Sequence, residues 1–132
     1  MLESLMVDYV RPSISEEAIE SQETMLLAIE PWFNLGHGLP PISYIRAFCL
    51  VARKEGLTVA EYAAQAGIPP AVMTRNLLDL GDVNRHREKG LELITSVRDK
   101  FDLRKHRAIL TPKGRKMAHD INVALRRLRR TK

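Results

Sequence analysis

The chain is poor in the residues that most often carry covalent or metal chemistry. It has a single cysteine, Cys49. No intrachain disulfide can form, and nothing points to an oxidising compartment. Aromatic residues make up 5% of the sequence, which leaves Leu, Ile, Val, Ala and Met to build the core. No apolar run reaches the roughly eighteen residues of a membrane-spanning helix. The start, Met1 to Asp8, has neither the basic residues nor the apolar stretch of a secretory signal, so the expected location is the cytoplasm. His37, His86, His106 and His119 share no metal-ligand spacing with one another or with Cys49. Gly36-His37-Gly38 is too short for a phosphate-binding loop, and no Ser-His-Asp pattern occurs. The expectation is a protein that is not an enzyme and needs no cofactor or metal.

What the chain does have is charge, unevenly placed. Its 132 residues suit one domain, and the 45% hydrophobic content suffices for one core. Residues 1–33 hold seven of the sixteen acids (Glu3, Asp8, Glu16, Glu17, Glu20, Glu23, Glu30) but only Arg11 of the twenty-one bases. The rest therefore carries twenty bases against nine acids. A basic body behind an acidic first segment suits a polyanionic partner.

Three units follow from punctuation and periodicity: an acidic N-terminal segment with a helix (1–40), a central unit (41–111) and a C-terminal helix (112–132). Ser13-Ile14-Ser15-Glu16 reads as a capping box centred on Ser13. The helix after it, to about Ile29, would turn Ile14, Ala18, Met25, Leu26 and Ile29 to one face. Pro31, Gly36, Gly38, Pro40 and Pro41 break the chain into a connector. A second helix, from about Pro41 to Lys54, repeats Ile42, Ile45, Phe48, Cys49 and Ala52 at helical spacing. Thr58-Val59-Ala60-Glu61 is another capping box, Gly67 stops the short helix it begins, and Pro69-Pro70 opens the next. There Met73, Leu77 and Leu80 share one face, with Ala71, Arg75, Leu78 and Asp79 on the other. Leu91, Leu93, Thr95 and Val97 then alternate with polar residues as a strand does. A charged stretch, Arg98 to Arg107, separates them from Ala108-Ile109-Leu110. Thr111-Pro112 caps a last helix with Met117, Ile121, Leu125 and Leu128 on one face.

Two short helices joined through Ala63, Gly67 and Ile68 form a helix-turn-helix pattern. The small Ala63 permits close approach of the helices, Gly67 permits the sharp turn, and Ile68 and Met73 fill the angle. The second helix can then present its outer side chains to a major groove. A hairpin with a basic tip follows in the order that a winged helix requires, and such a tip can lie along the backbone or in the minor groove. The expected fold class is mainly α with a small β-hairpin (α+β), a winged helix-turn-helix.

These residues resemble the MarR family of regulators. The matching pieces are Leu57 to Ala63, Gly67 to Arg75, Asp102-Leu103-Arg104 at the wing, and Ile109-Leu110-Thr111-Pro112-Lys113-Gly114-Arg115, which is similar to the family's entry into the helix after the wing. The resemblance implies a homodimeric, nucleoid-associated regulator of transcription that binds double-stranded DNA and answers to a small-molecule effector. By position it assigns Thr74 and Arg75 to the major groove and Arg104 to the wing near the minor groove. With the wing's other bases, the expected DNA-binding set is Thr74, Arg75, Arg98, Lys100, Arg104, Lys105 and Arg107. Effector-binding residues are not indicated.

The sequence also departs from that pattern. A charged insertion, Asp82 to Lys89, lies where the family turns within a few residues, and Asn76, Leu78 and Asp79 differ from the family's usual residues. An acid at Asp79 facing the groove would repel phosphate, while it could accept from cytosine. About twenty residues follow Thr111, so no second C-terminal helix is expected. The stripe Met117, Ile121, Leu125 and Leu128, with Leu2, Leu5 and Met6, is the expected dimer interface. Cys49 reads as a small buried hydrophobe rather than a redox sensor, and Trp32 and Phe33 as a latch onto the core. The competing function is a winged-helix adaptor that binds proteins and has no DNA specificity of its own.

Overall fold

The structure, a computed structural model, describes residues 10–36 and 38–130, the side chains of 128–130 excepted. Its elements run α1 (Glu16–Phe33), α2 (Ile42–Arg53), α3 (Val59–Ala66), α4 (Pro70–Asp79), β1 (Ile94–Arg98), β2 (His106–Leu110) and α5 (Pro112–Arg130). The strands pair antiparallel, with Ile94 opposite Leu110 and Arg98 opposite His106. This is the expected mainly α winged helix-turn-helix.

Helix α1 is capped by Ser15, whose hydroxyl accepts from the Ala18 amide at 3.1 Å, not by Ser13. Glu16 is then the first helical residue, too early to close a capping box, and with Glu17 it lies where the helix dipole favours acids. The inward face also differs from expectation. Met25 and Leu26 are exposed, and Pro31 and Trp32 are buried. Helix α1 lies on α5, and the Trp32 ring meets Phe48 of α2 edge-on, centroids 5.1 Å apart. Trp32 is the latch; Phe33 is exposed.

Helix α2 buries Ala47, Phe48 and Val51. Ile42 and Cys49 are exposed, so the expected inward stripe is rotated on the real helix. The Phe48 ring packs edge-on against Trp32, and that sets the turn of the helix. The Cys49 thiol is still desolvated enough to push its pKa up, which opposes thiolate chemistry.

The step from wing to α5 explains the Thr111 to Gly114 sequence. The Thr111 hydroxyl donates to the Glu92 carbonyl at 2.6 Å and accepts from the Gly114 amide at 2.9 Å, capping α5. A Cβ on Gly114 would lie 2.0 Å from the Leu93 carbonyl oxygen, so only glycine lets the helix pass this close to the strand. Glu55, just beyond α2, accepts from the Leu110 amide at 2.8 Å and grips the Arg115 guanidinium with both oxygens. The Leu110 amide and Arg115 together hold its carboxyl below the usual range against the opposing effect of burial.

In α5, Met117 and Ala124 are buried and Ile121 packs against the core. This overturns Met117 as part of an intermolecular stripe, because the face it belongs to is already covered within the chain. Leu125 is half-buried, while Leu2, Leu5, Met6 and the side chain of Leu128 lie outside the described residues. Among the described residues no helix is long and apolar enough to cross a membrane.

Candidate nucleic-acid interface

The turn between α3 and α4 follows from local chemistry. Thr58 accepts from the Glu61 amide at 3.3 Å while the Glu61 carboxylate accepts from the Thr58 amide at 3.1 Å, a complete capping box. At the other end Gly67 takes φ 68°, ψ 32°, a left-handed conformation that glycine adopts without Cβ cost. Its amide and that of Ile68 return to Ala63 and Ala64. Ala63, buried, allows the crossing.

Helix α4 starts on Pro69 and Pro70 and turns Met73, Asn76, Asp79 and the adjoining Leu80 inward. Ala71, Thr74, Arg75 and Leu78 face out. Among the described residues no acid pairs with Arg75. The helix thus offers a bare outer ridge on which Thr74 and Arg75 stand between Ala71 and Leu78.

Asp79 is the main correction on this helix. It does not face a groove: it is buried, accepting from the Tyr44 hydroxyl of α2 and, at 3.0 Å, from the Arg85 amide. The Arg85 side chain stands 3.6 Å away. Burial alone would raise the carboxyl's pKa, but Tyr44 and Arg85 outweigh it and hold it below the usual range. The same contact and its own burial push the Tyr44 phenol up. The 82–89 insertion is therefore an ordered brace on the end of α4. Asn84 organises it, its side-chain oxygen accepting from the His86 and Glu88 amides at 2.8 and 3.0 Å. Gly90 to Leu93 then fold back on the end of α4, with the Leu93 amide on the Leu80 carbonyl at 2.8 Å, which is why the strand begins at Ile94.

The wing is fastened to the helix-turn-helix by backbone. Gly56 donates to the Ala108 carbonyl at 2.8 Å, and Ala108 donates to Leu57 at 3.2 Å, with Thr58 bridged to Arg107. Residues 56–58 thus form a short third rail beside β2, which the sequence reading missed. Arg107 completes the joint. Its guanidinium sits 2.6 Å from Asp99 and donates to the Gly56 carbonyl at 2.7 Å. Of the seven expected DNA-binding residues, it is the one whose half-exposed head group ties the wing to a distant segment, through Asp99 and the Gly56 carbonyl.

The other wing bases point outward. Arg98, Lys100 and Lys105 are exposed without an ion pair among the described residues, and Arg104 is exposed beside Asp102 at 3.2 Å. The tip's two acids are turned to structural work. Asp99 accepts from the Phe101 and Asp102 amides, and Asp102 accepts from the Arg104 amide. The Phe101 amide and Arg107 hold the Asp99 carboxyl below its ordinary pKa. Thr74 and Arg75 lie on one element and the wing bases on another, joined by the 56–58 rail. Among the described residues no group of acids, His or Cys could hold a metal ion.

No protein-family model matches the sequence, and no curated protein matches it either. Solved structures do match. The chain is similar to RV1404 from Mycobacterium tuberculosis, with TM-score 0.65 and 17% identity over 89% of this chain and 79% of that one. It is equally similar to a MepR variant from S. aureus bound to an oligodeoxyribonucleotide, with TM-score 0.65 and 19% identity over 90% and 82%. A MarR family transcription regulator, SP03579, matches with TM-score 0.56 and 17% identity over 82% and 64%. What is shared at these identities is the fold: five helices and a two-stranded wing arranged as in MarR-type regulators.

Proposed function

We propose that the protein is a sequence-specific, duplex-DNA-binding regulator of transcription of MarR type. The observation that carries this reading is the outer face of α4, where Thr74 and Arg75 stand exposed on the second helix of a helix-turn-helix. In the proposed complex α4 enters the major groove. Arg98, Lys100, Arg104 and Lys105 of the wing meet phosphates or the minor groove, while Arg107 holds the wing in place. A MepR neighbour bound to an oligodeoxyribonucleotide supports the same reading.

The regulator acts as a homodimer in this proposal, because one recognition helix makes too few contacts for high specificity and paired half-sites supply the rest. Helix α1 carries a second apolar stripe, Ile19, Leu26 and Phe33 at seven-residue spacing, exposed on the side away from buried Pro31 and Trp32. We place the dimer contact there. A small-molecule effector has a candidate seat in the cleft of about 380 Å³ between α1 and α5, where Lys113 lies beside the Lys116–Asp120 and Arg127–Glu30 ion pairs. Its site of action would be the nucleoid in the cytoplasm.

The test separates the arginines on a duplex selected from random sequence. Bidentate readout of guanine by Arg75 is worth about 1–3 kcal/mol of discrimination, so Arg75→Ala should weaken the selected duplex far more than a scrambled one. Arg104→Ala should weaken both evenly and flatten the salt dependence by about one phosphate, a slope change of roughly 0.9. Binding to duplex that is indifferent to salt would remove this reading and promote the protein-binding adaptor.

A further inference from the structure

The wing tip carries something that a phosphate clamp does not need. Phe101 is 93% exposed and Leu103 64% exposed, whereas Trp32, Phe48 and Tyr62 are wholly buried. Water is a poor environment for a phenyl ring, and nothing among the described residues covers this one. We propose that Phe101, with Leu103 beside it, is an apolar wedge that enters the minor groove and parts a base step. This rests on the DNA-binding reading above.

Three observations carry it. First, the backbone that carries the ring is tied down. The Phe101 amide donates to Asp99 at 2.7 Å, Asp99 is held by Arg107 at 2.6 Å, and Arg107 is tied to the Gly56 carbonyl at 2.7 Å. The chain of contacts runs from the tip into the helix-turn-helix. Second, the surroundings are basic. Lys100, Arg104 and Lys105 flank the two apolar residues, while the tip's acids are turned onto backbone amides and arginines. An apolar point inside a collar of cations matches a polyanion with an apolar interior within reach. Third, the minor groove is the DNA surface that accepts such points, since apolar side chains can unstack a step there and bend the duplex. Pyrimidine–purine steps part most readily, so the wedge would add a preference for TA or CA under the wing without touching a base edge.

The experiment uses a random-sequence duplex, the same duplex with a single mismatch, and one with 2-aminopurine beside a TA step. A wedge that must part a step binds tighter where the step is already weakened, so wild type should favour the mismatched duplex about tenfold. It should also raise 2-aminopurine fluorescence. Phe101→Ala should lose both effects and keep its salt slope, because no charge is removed; Phe101→Trp should retain both. If Phe101→Ala retains the mismatch preference, or wild type shows none while binding duplex, the wedge is wrong and the DNA reading stands. Absence of binding to every duplex at low salt would overturn both. Binding to anionic lipid vesicles that Phe101→Ala abolishes, with no mismatch preference, would overturn the wedge and assign the tip to membrane surfaces.

Discussion

Asn76 sits on the inward face of α4, between Met73 and Leu80, and its side-chain nitrogen is buried without a hydrogen-bond partner among the described residues. A buried donor left unsatisfied costs about 1–3 kcal/mol. Asn76→Leu removes that penalty and replaces an amide by methyl groups of similar reach. The added apolar burial favours the variant further, while imperfect fit in a filled core takes back about 1–3 kcal/mol. The balance is a gain of about 1–2 kcal/mol. For a domain of this size, 1 kcal/mol moves the melting temperature by about 3–5 °C, so a rise of roughly 3–10 °C is expected. Differential scanning calorimetry at fixed protein concentration measures it, and urea titration should show a higher midpoint with an unchanged slope. DNA affinity should hold, because Thr74 and Arg75 are exposed while Asn76 is buried. A melting temperature that stays level or falls for Asn76→Leu and also falls for the smaller Asn76→Ala would mean that the amide has a partner.

The brace on α4 makes its own prediction: Asp79→Ala should destabilise by about 1–3 kcal/mol, and a double-mutant cycle with Tyr44→Phe should show a coupling near 1 kcal/mol, while strict additivity would mean that the two do not interact. Glu55, Asp79, Asp99 and Asp102 are all held below their ordinary pKa. The stability they contribute is therefore complete only above their unfolded values, from about pH 5 upward, and is lost as pH falls through their lowered values; an acid melt with no loss below about pH 5 would contradict the assigned contacts. Leu26→Asp should turn a dimer into monomers in light scattering with unchanged circular dichroism, and a wild type already monomeric at micromolar concentration would remove α1 as the interface. Cys49→Ser should leave DNA binding and its response to peroxide unchanged, since the raised thiol pKa disfavours the reactive thiolate; a peroxide response lost in the variant would make Cys49 a sensor.

Much of the fold was legible because its signals are local. The Thr58–Glu61 box, Gly67, Pro70 and the Thr111 to Gly114 step each act within a few residues, and each does in the structure what its chemistry implies. Helix rotation was less legible. In α1 and α2 both faces carry apolar residues, so periodicity alone could not choose between Leu26 and Trp32, or between Cys49 and Val51. The partner decided: the Trp32–Phe48 contact turns both helices. Asp79 was misplaced for a related reason. Its partners, Tyr44 thirty-five positions earlier and Arg85 in the insertion, leave no pattern in the local sequence. The third rail at 56–58 was invisible because two backbone pairs have no side-chain signature. Arg107 looked like its neighbours until geometry gave its head group to Asp99.

The rail has a mechanical consequence. A wing joined to its domain only by two strand ends would swing as a flap, and the angle between helix and wing would be a free variable at each encounter with a duplex. Here backbone pairs from Gly56 and Leu57 to Ala108, with Arg107 as a cross-tie, place a second attachment along β2 itself. Two anchorage points convert a flap into a lever. Any rotation of α3 and α4 must carry the wing tip with it through an arc, so a small tilt at the helix-turn-helix is delivered at Phe101 as a larger displacement.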